Sequence, residues 1–408
     1  MAIKKDYTFT YKDISDKKRR NLAILDYIRR KGETSRTEIS KETGINIVSV
    51  SNYVMSYIKK GLVMEWGLDA STGGRRPELV KLNLENAYVG GVDIGSEKLI
   101  AVITDLALKK KTKVAIQRPE GSMDRVIEGT MNMLDKLFEE FGKPLSNIKI
   151  IGIGASGVVD IYTGTIRDTS PARGKTKTSL YNLANLLEEK FNITSLVSND
   201  ATCAAFGEIS LSPDTEISEM LYIYSDIGCG IIINHDIYCG TSGSAGEIQL
   251  VINNRTKGKS HAIELASYGV RGIDLGIVDK AKKLIEKGEA TSIMELAGGK
   301  KDAIKKETIF EAARENDKLA RELLTDAAYW LAIKVAYLIN IFNPQLVMIG
   351  GGMEKAGSVF MDALSAYIKT HTFEEPFSAT KILPSFLGED AIALGAASLG
   401  VRELFINA

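Results

Sequence analysis

Residues 221–252 read LYIYSDIGCGIIINHDIYCGTSGSAGEIQLVI. The runs Leu221 to Ser225 and Ile231 to Asn234 are rich in β-branched and aromatic residues, and Gly228-Cys229-Gly230 falls between them. This pattern predicts a β-hairpin followed by a glycine-rich turn. Backbone N–H groups in such a turn can converge on an anion, as they do in phosphate-binding nests. Asp226 opposes that use, because its carboxylate repels phosphate oxygens.

On both sides of the hairpin, strand and helix patterns alternate. Upstream, Tyr88 to Asp93, Leu99 to Leu106 and Lys113 to Arg118 read as strands, with a turn at Gly95-Ser96. Val126 to Phe141 is amphipathic at helical spacing, and Ile148 to Gly154 is a buried-strand run ending at Ser156-Gly157. Leu180 to Phe191 is expected as a helix, and Thr194 to Ser198 as a strand that ends in Asn199-Asp200. Downstream, Leu319 to Phe342 is a long helix stopped by Asn343-Pro344, since the position before proline disfavours helical backbone. Gln345 to Ile349 is a strand leading to Gly350-Gly351-Gly352, and alanine-rich Asp390 to Leu404 closes the chain as a helix. The body is therefore α/β, with polar residues at strand ends, where open sheets collect ligands.

The N-terminal part follows another pattern. Asp16 to Lys31 places Leu22, Leu25 and Ile28 at helical spacing and stops at Gly32. Ser35-Arg36-Thr37-Glu38 is a capping box, in which the serine hydroxyl and the glutamate carboxylate each satisfy the other's backbone N–H; it opens a helix ending near Gly44. A third helix, Asn46 to Lys60, carries Ile47, Val50, Val54, Tyr57 and Ile58 on one face and Val48, Ser49, Asn52 and Ser56 on the other. Two short helices around a glycine turn form a helix-turn-helix, whose second helix would enter a DNA major groove. Leu62 to Trp66 and Glu78 to Leu84 follow as strands joined by Ser71-Thr72-Gly73-Gly74-Arg75-Arg76-Pro77, either a solvated loop or a basic wing for phosphate or minor-groove contact. With no arginine on the recognition face, base reading leans on amide and hydroxyl groups.

Charge separates the two parts. The 408 residues carry 52 basic and 52 acidic side chains, but Met1 to Glu85 holds 17 against 11, leaving +6 on the head and −6 on the remainder. A basic head on an acidic body implies a polyanion partner for the head alone. No apolar run reaches the roughly 18 residues of a membrane span, and the lysine-containing N-terminus lacks a signal-peptide core, so a cytoplasmic protein is expected. Cys203, Cys229 and Cys239 form neither a CxxC pair nor an even set, and read as small buried residues in a reducing compartment.

Several motifs together resemble the ROK family of bacterial repressors and sugar kinases. They are GGRRP in the wing, GVDIG at Gly91 to Gly95, IGIGASGVVD at Ile151 to Asp160, SNDATCAAFGE at Ser198 to Glu208, IGCGIIIN at Ile227 to Asn234, GSAGEI at Gly243 to Ile248, NPQLVMIGGG at Asn343 to Gly352 and LGEDAIALGAASL at Leu387 to Leu399. The resemblance implies an actin-like, ribonuclease H-like, two-lobed sugar-kinase fold preceded by a winged helix-turn-helix. Residues 1–85 would form the DNA-binding head and 86–200 the first lobe, to which helix 388–408 returns. The second lobe would span 201–387 and carry a dimer contact.

The resemblance also ranks the chemistry. Asp200, in the Asn199-Asp200 pair, would be the catalytic base if the protein were a kinase. The first phosphate loop departs from the enzymes' pattern by placing Glu97 where a hydroxyl would face phosphate; the second carries Asp226 and has lost a glycine. Phosphoryl transfer depends on charge neutralisation, so these acids argue against ATP. The enzymes' zinc loop has no counterpart, because residues 253–264, NNRTKGKSHAIE, contain no cysteine; neither a metal nor a cofactor is expected. Asn199, Asp200, Glu247 and Glu264 match positions that hold sugar hydroxyls, Ser156-Gly157 would form the pocket floor, and His261 is a pocket or surface hydrogen-bonding group. The DNA-contact set is Ser35, Arg36, Thr37, Asn46, Val48, Ser49, Asn52, Arg75 and Arg76. The expected function is a sugar-responsive regulator, a repressor acting as a homodimer or dimer of dimers, in which a sugar entering the cleft shifts the spacing of the heads. A bifunctional sugar kinase with a DNA-binding head, supported by Asp200 and Gly350 to Gly352, and a DNA-bound scaffold without a ligand are the alternatives.

Overall fold

The computed structural model describes residues 14–68, 78–160, 163–167, 180–214, 216–225, 228–248 and 273–408. They fall into two compact units. One contains the head, the described chain through Leu211, and Ile392–Ala408; the other runs from Ser212 to Ala391. The first boundary thus lies after Leu211, beyond the expected residue 200.

The head begins with α1 (Asp16–Lys31), capped by the Ser15 hydroxyl, which accepts from the Lys18 N–H at 3.4 Å. β1 (Thr34–Ser35) leads into α2 (Arg36–Thr43), which ends at Gly44 with a left-handed φ of 69°. α3 (Ile47–Lys59) is capped by Asn46, whose amide oxygen accepts from the Ser49 N–H at 2.8 Å. β2 (Val63–Leu68) and β3 (Glu78–Leu82) complete a three-stranded sheet in the order β1-β3-β2. The predicted helix-turn-helix and the two wing strands are present; the strand joint 69–77 lies outside the described residues.

Two local expectations change. Only half of the capping box forms: the Ser35 hydroxyl accepts from the Glu38 N–H at 3.2 Å, but the Glu38 carboxylate accepts instead from the Thr34 hydroxyl at 2.8 Å and pairs with Lys31 at 3.1 Å. A charged partner outweighs a backbone N–H. Ile47, placed on the buried face by its spacing, is 43% exposed at the first position of α3; Val50, Val54 and Tyr57 are buried.

The rest of this unit is a five-stranded sheet in the order β11-β7-β4-β5-β6. β4 (Tyr88–Ile94), β5 (Lys98–Asp105) and β6 (Lys110–Gln117) form an antiparallel meander, and β7 (Ile148–Ala155) and β11 (Thr194–Asn199) add in parallel beside β4. α4 (Met123–Phe141) leads into β7. A small antiparallel sheet, β8 (Val158–Asp160), β9 (Thr165–Arg167) and β10 (Leu180–Asn182), precedes α5 (Leu183–Phe191). Leu180 to Asn182 therefore pair as strand where a continuous helix was expected. The Asn182 side chain accepts from the Asn185 N–H at 3.1 Å, and this cap starts the helix only at Leu183. After β11 comes α6 (Asp200–Leu211).

The second unit repeats the arrangement. β12 (Met220–Tyr224), β13 (Gly228–Ile233) and β14 (Asp236–Ile237) are an antiparallel meander, and β15 (Leu346–Gly350) and β16 (Lys381–Pro384) add in parallel, giving β14-β13-β12-β15-β16. In both sheets the first strand is central, the next two lie on one side and the last two on the other. Gly228 to Gly230, read as the hairpin's punctuation, instead belong to β13. The reason is close approach: the Cys229 N–H donates to the Gly246 carbonyl at 2.8 Å, and a Cβ on Gly246 would sit 1.8 Å from the Cys229 carbonyl oxygen. The helices are α7 (Ile277–Glu286), α8 (Ile293–Leu296), α9 (Lys306–Arg314), α10 (Lys318–Phe342), α11 (Ser358–His371) and α12 (Glu374–Ala379). α10 is capped by Asp317 and stopped at Asn343, in left-handed backbone, before Pro344.

The final helix, α13 (Ala391–Ile406), lies on the sheet of the first unit. A Cβ on Gly91 would lie 2.0 Å from the Ala393 carbonyl oxygen and one on Gly152 would lie 1.9 Å from that of Ala396. On the helix side, a Cβ on Gly395 would lie 1.7 Å from the Cys203 carbonyl oxygen on α6. The glycines of GVDIG, IGIG and LGAAS thus admit backbone against backbone. Gly152→Ala should lower stability by about 3 kcal/mol, since neither backbone can yield cheaply. Urea unfolding measures this; a loss below about 1 kcal/mol would mean that the helix can lift from the sheet.

Candidate functional site

The parallel strands of the first sheet end together. Asp93 on β4 is paired in register with Gly154, Ile94 with Ala155, and Asn199 on β11 with Ala155. Residues immediately beyond these ends therefore converge at one edge of the sheet, the place where open α/β sheets bind ligands.

Asp200 starts α6 and is 2% exposed. Its carboxylate accepts from the Ser156 hydroxyl at 2.6 Å and from the Ala201 N–H at 2.8 Å. Asn199 donates through its amide nitrogen to the Gly157 carbonyl at 3.3 Å, and its oxygen accepts from the Ala201 and Thr202 N–H groups at 3.0 and 3.3 Å. The four residues Ser156, Gly157, Asn199 and Asp200 are thus brought together as expected from the sequence. Glu247 belongs to the other unit and is exposed beyond Gly246. Glu264 and His261 lie outside the described residues, as do Asp226 and the whole 253–264 segment.

One carboxylate was overlooked in reading the sequence. Asp93 is 6% exposed, and its Oδ1 has no hydrogen-bond partner among the described residues. Burial raises its pKa well above the usual carboxylate range, the Asp200 charge raises it further, and Arg118 partly offsets both. Burial also raises the pKa of Asp200, against the hydrogen bonds from Ser156 and Ala201. Its signal was available: Asp93 ends a strand within GVDIG, at the same sheet edge as Asn199-Asp200. Arg118 had no such signal. It reaches the site across the meander, donating through Nη1 to the Gly95 carbonyl at 2.7 Å. The pair offers hydroxyl-bearing ligands strong acceptors with unfilled capacity.

Gly350 and Gly351 of the second unit lie against neighbouring side chains. A Cβ on Gly350 would lie 1.9 Å from the Tyr222 hydroxyl oxygen, and one on Gly351 would lie 2.3 Å from the Ser225 Oγ. Ser225 is held by donating to the Ile273 carbonyl at 2.8 Å. Gly350 and Gly351 accommodate these side chains. Glu97 is exposed on the turn between β4 and β5.

In the head, several expected DNA contacts already have internal tasks. Ser35 is buried as the cap of α2. Arg36 donates to Glu78 at 3.0 Å and to Glu65 at 3.4 Å, tying α2 to both wing strands. Asn46 caps α3. Thr37, Val48 and Asn52 are exposed, and Ser49 is half-buried. Arg75 and Arg76 lie outside the described residues. Met55, absent from the expected set, is 53% exposed on α3. The three cysteines are buried and form no disulfide with one another.

The carboxylate pair sets a pH dependence. Each acid holds its proton more tightly in the folded chain than in the unfolded one, so stability declines as pH rises from the unfolded value of 3.8 through the raised folded value. Asp93→Asn removes the repulsion and should raise the unfolding temperature at neutral pH and flatten that decline. Thermal scans from pH 4 to 8 would refute the assignment if wild type and variant kept parallel profiles.

The chain is 27% identical to the xylose repressor of Caldicellulosiruptor bescii over 91% of this chain and 92% of the relative. It is 25% identical to the DNA-binding transcriptional dual regulator NagC of Escherichia coli over 94% and 92%. Among solved structures, a ROK family transcriptional regulator, homologous to the E. coli MLC protein, superposes with a TM-score of 0.75 at 20% identity, covering 96% of this chain and 98% of its own. A ROK family glucokinase from Streptomyces griseus, in complex with glucose and AMPPNP, superposes with a TM-score of 0.65 at 23% identity and covers 77% of this chain and 99% of its own. These structures share the actin-like fold. Residues 89–258 and 285–403, well over half of the chain, match the sequence model of the ROK family, and the protein belongs to that family.

Proposed function

We infer that the protein is a sugar-responsive DNA-binding transcriptional repressor whose kinase-like body binds a sugar or sugar derivative without phosphorylating it. The observation that carries this reading is the extent of the matches. The relatives named as regulators align over more than nine-tenths of the chain, whereas the glucokinase uses up its own length on 77% of it. The family match begins at residue 89, so the helix-turn-helix head precedes the kinase-like body. The relatives are named for xylose and for N-acetylglucosamine regulation, which favours a monosaccharide or its derivative as effector. Operator binding places the protein in the cytoplasm, and reading of two half-sites favours a dimer.

The carboxylate of Glu97, exposed on the turn between β4 and β5, opposes phosphate binding, while Asp93 and Asp200 favour hydroxyl capture. The kinase alternative draws on Asp200, because a carboxylate with a raised pKa is a stronger base. Isothermal titration separates the two. Heat is expected with at least one sugar from a panel including xylose and N-acetylglucosamine, and none with AMPPNP and Mg²⁺. Micromolar binding of the nucleotide would put the kinase reading first.

Coupling between sugar and DNA has a continuous route within the first unit. α6 starts at Asp200 and runs about 18 Å at 1.5 Å per residue. Near its other end the Ser210 carbonyl accepts from Arg29 of α1 at 3.2 Å, and Arg29 is clamped by Asp26 at 2.8 Å. Displacement of Asp200 by a ligand therefore reaches the head through a rigid helix. A ligand shifts DNA affinity only as far as it prefers one of the two arrangements. Arg29→Ala should leave sugar affinity intact and cut the sugar-induced change in DNA affinity, from a typical 5–150-fold to within about threefold of unity. Fluorescence anisotropy with and without sugar measures it; unchanged coupling would rule this route out.

A further inference from the structure

The outward face of α3 is more apolar than a polar recognition surface requires. Val48 is 68% exposed and Met55 is 53% exposed, both large apolar side chains left in solvent. They flank exposed Asn52 at positions i, i+4 and i+7, so the three stand in one stripe opposite buried Val50, Val54 and Tyr57. From Val48 to Met55 the stripe spans about 10 Å, or about three base steps at 3.4 Å each.

Charge identifies what covers the stripe. No Asp or Glu occurs from Ile45 to Met64, and Lys59 and Lys60 end the helix. Lys17 and Arg20 of α1 join Lys60, Ser49 and Ser56 around a polar cavity of about 320 Å³ on the flank of α3. An apolar stripe bordered by cations, on a helix that carries no acidic side chain, fits a duplex groove, with phosphates over the cations and base edges over the stripe.

The chemistry of the stripe selects among base pairs. Thymine alone presents a methyl group in the major groove, and adenine offers the acceptor–donor pair that an asparagine amide bonds at two points. Guanine is read most often by arginine or lysine, and no cation stands within the stripe. We propose that α3 reads a short A·T run in each half-site, with Val48 and Met55 packed on thymine methyl groups about three steps apart and Asn52 on an adenine between them. This rests on the operator-binding reading and names the DNA that it would take.

The test uses the full-length chain. Duplexes enriched from a random-sequence pool are compared with the same duplexes in which deoxyuridine replaces thymidine in the bound core. That exchange deletes the methyl groups and keeps base pairing and every groove donor and acceptor. Affinity should fall about fourfold for each contacted methyl, the equivalent of ~0.8 kcal/mol per buried carbon. Val48→Ala and Met55→Ala, both at exposed positions, should each weaken binding to the thymidine duplex and each abolish the deoxyuridine effect at one step. Equal affinity for both duplexes would overturn the methyl reading while leaving operator binding intact. Enrichment of no duplex at all would remove the operator-binding reading and this inference with it.

Discussion

Backbone packed directly on backbone is the constraint on which the first unit depends. α13 can rest on the central sheet only because Gly91 and Gly152 carry no side chain where the Ala393 and Ala396 carbonyls arrive, and α6 can approach α13 only because Gly395 leaves room for Cys203. These contacts fix α6 and therefore Asp200. They also fix the chain's last turn, where the Ile406 and Ala408 carbonyls accept from the Asn21 amide at 3.3 and 2.8 Å, while Asn21 accepts from the Tyr57 hydroxyl of α3 at 2.8 Å. A single tightly packed helix thus supports both the strand-end carboxylates and the recognition helix.

The carboxylate pair is held against its own electrostatics. Two buried acids at one sheet edge repel each other, and Asp93 Oδ1 has no donor among the described residues. A buried acceptor left unsatisfied costs about 1–3 kcal/mol. Such stress persists where a ligand relieves it, and sugar hydroxyls are donors that can do so. The same site on a kinase would supply a base. In the second unit Tyr222 and Ser225 pack where Gly350 and Gly351 carry no side chain.

The head shows how local rules yield to tertiary partners. Ser35 caps α2 as its sequence indicates, yet Glu38 abandons the reciprocal bond for Thr34 and Lys31. Arg36, well placed in sequence for phosphate, is drawn to Glu65 and Glu78 on strands about 29 and 42 positions away. Partners that remote have no signature in a short motif. Hydrophobic spacing placed Val50, Val54 and Tyr57 correctly but misjudged Ile47 at the first position of α3.

The sequence by itself determined the helix-turn-helix and the α/β alternation, and its motifs pointed to the strand-end residues Ser156, Gly157, Asn199 and Asp200. Those features rest on period, capping and glycine placement, which act over a few residues. Tertiary structure alone decided that the motif glycines serve helix-on-sheet packing, that Gly228 to Gly230 lie within a strand, and that Asp93 shares its sheet edge with Asp200. It also decided that the two sheets repeat one strand order, although no repeated sequence was recognised. The physical reason is range. Packing clearance, charge repulsion and strand register arise between residues far apart in the chain, and they exist only once the strands have been brought side by side.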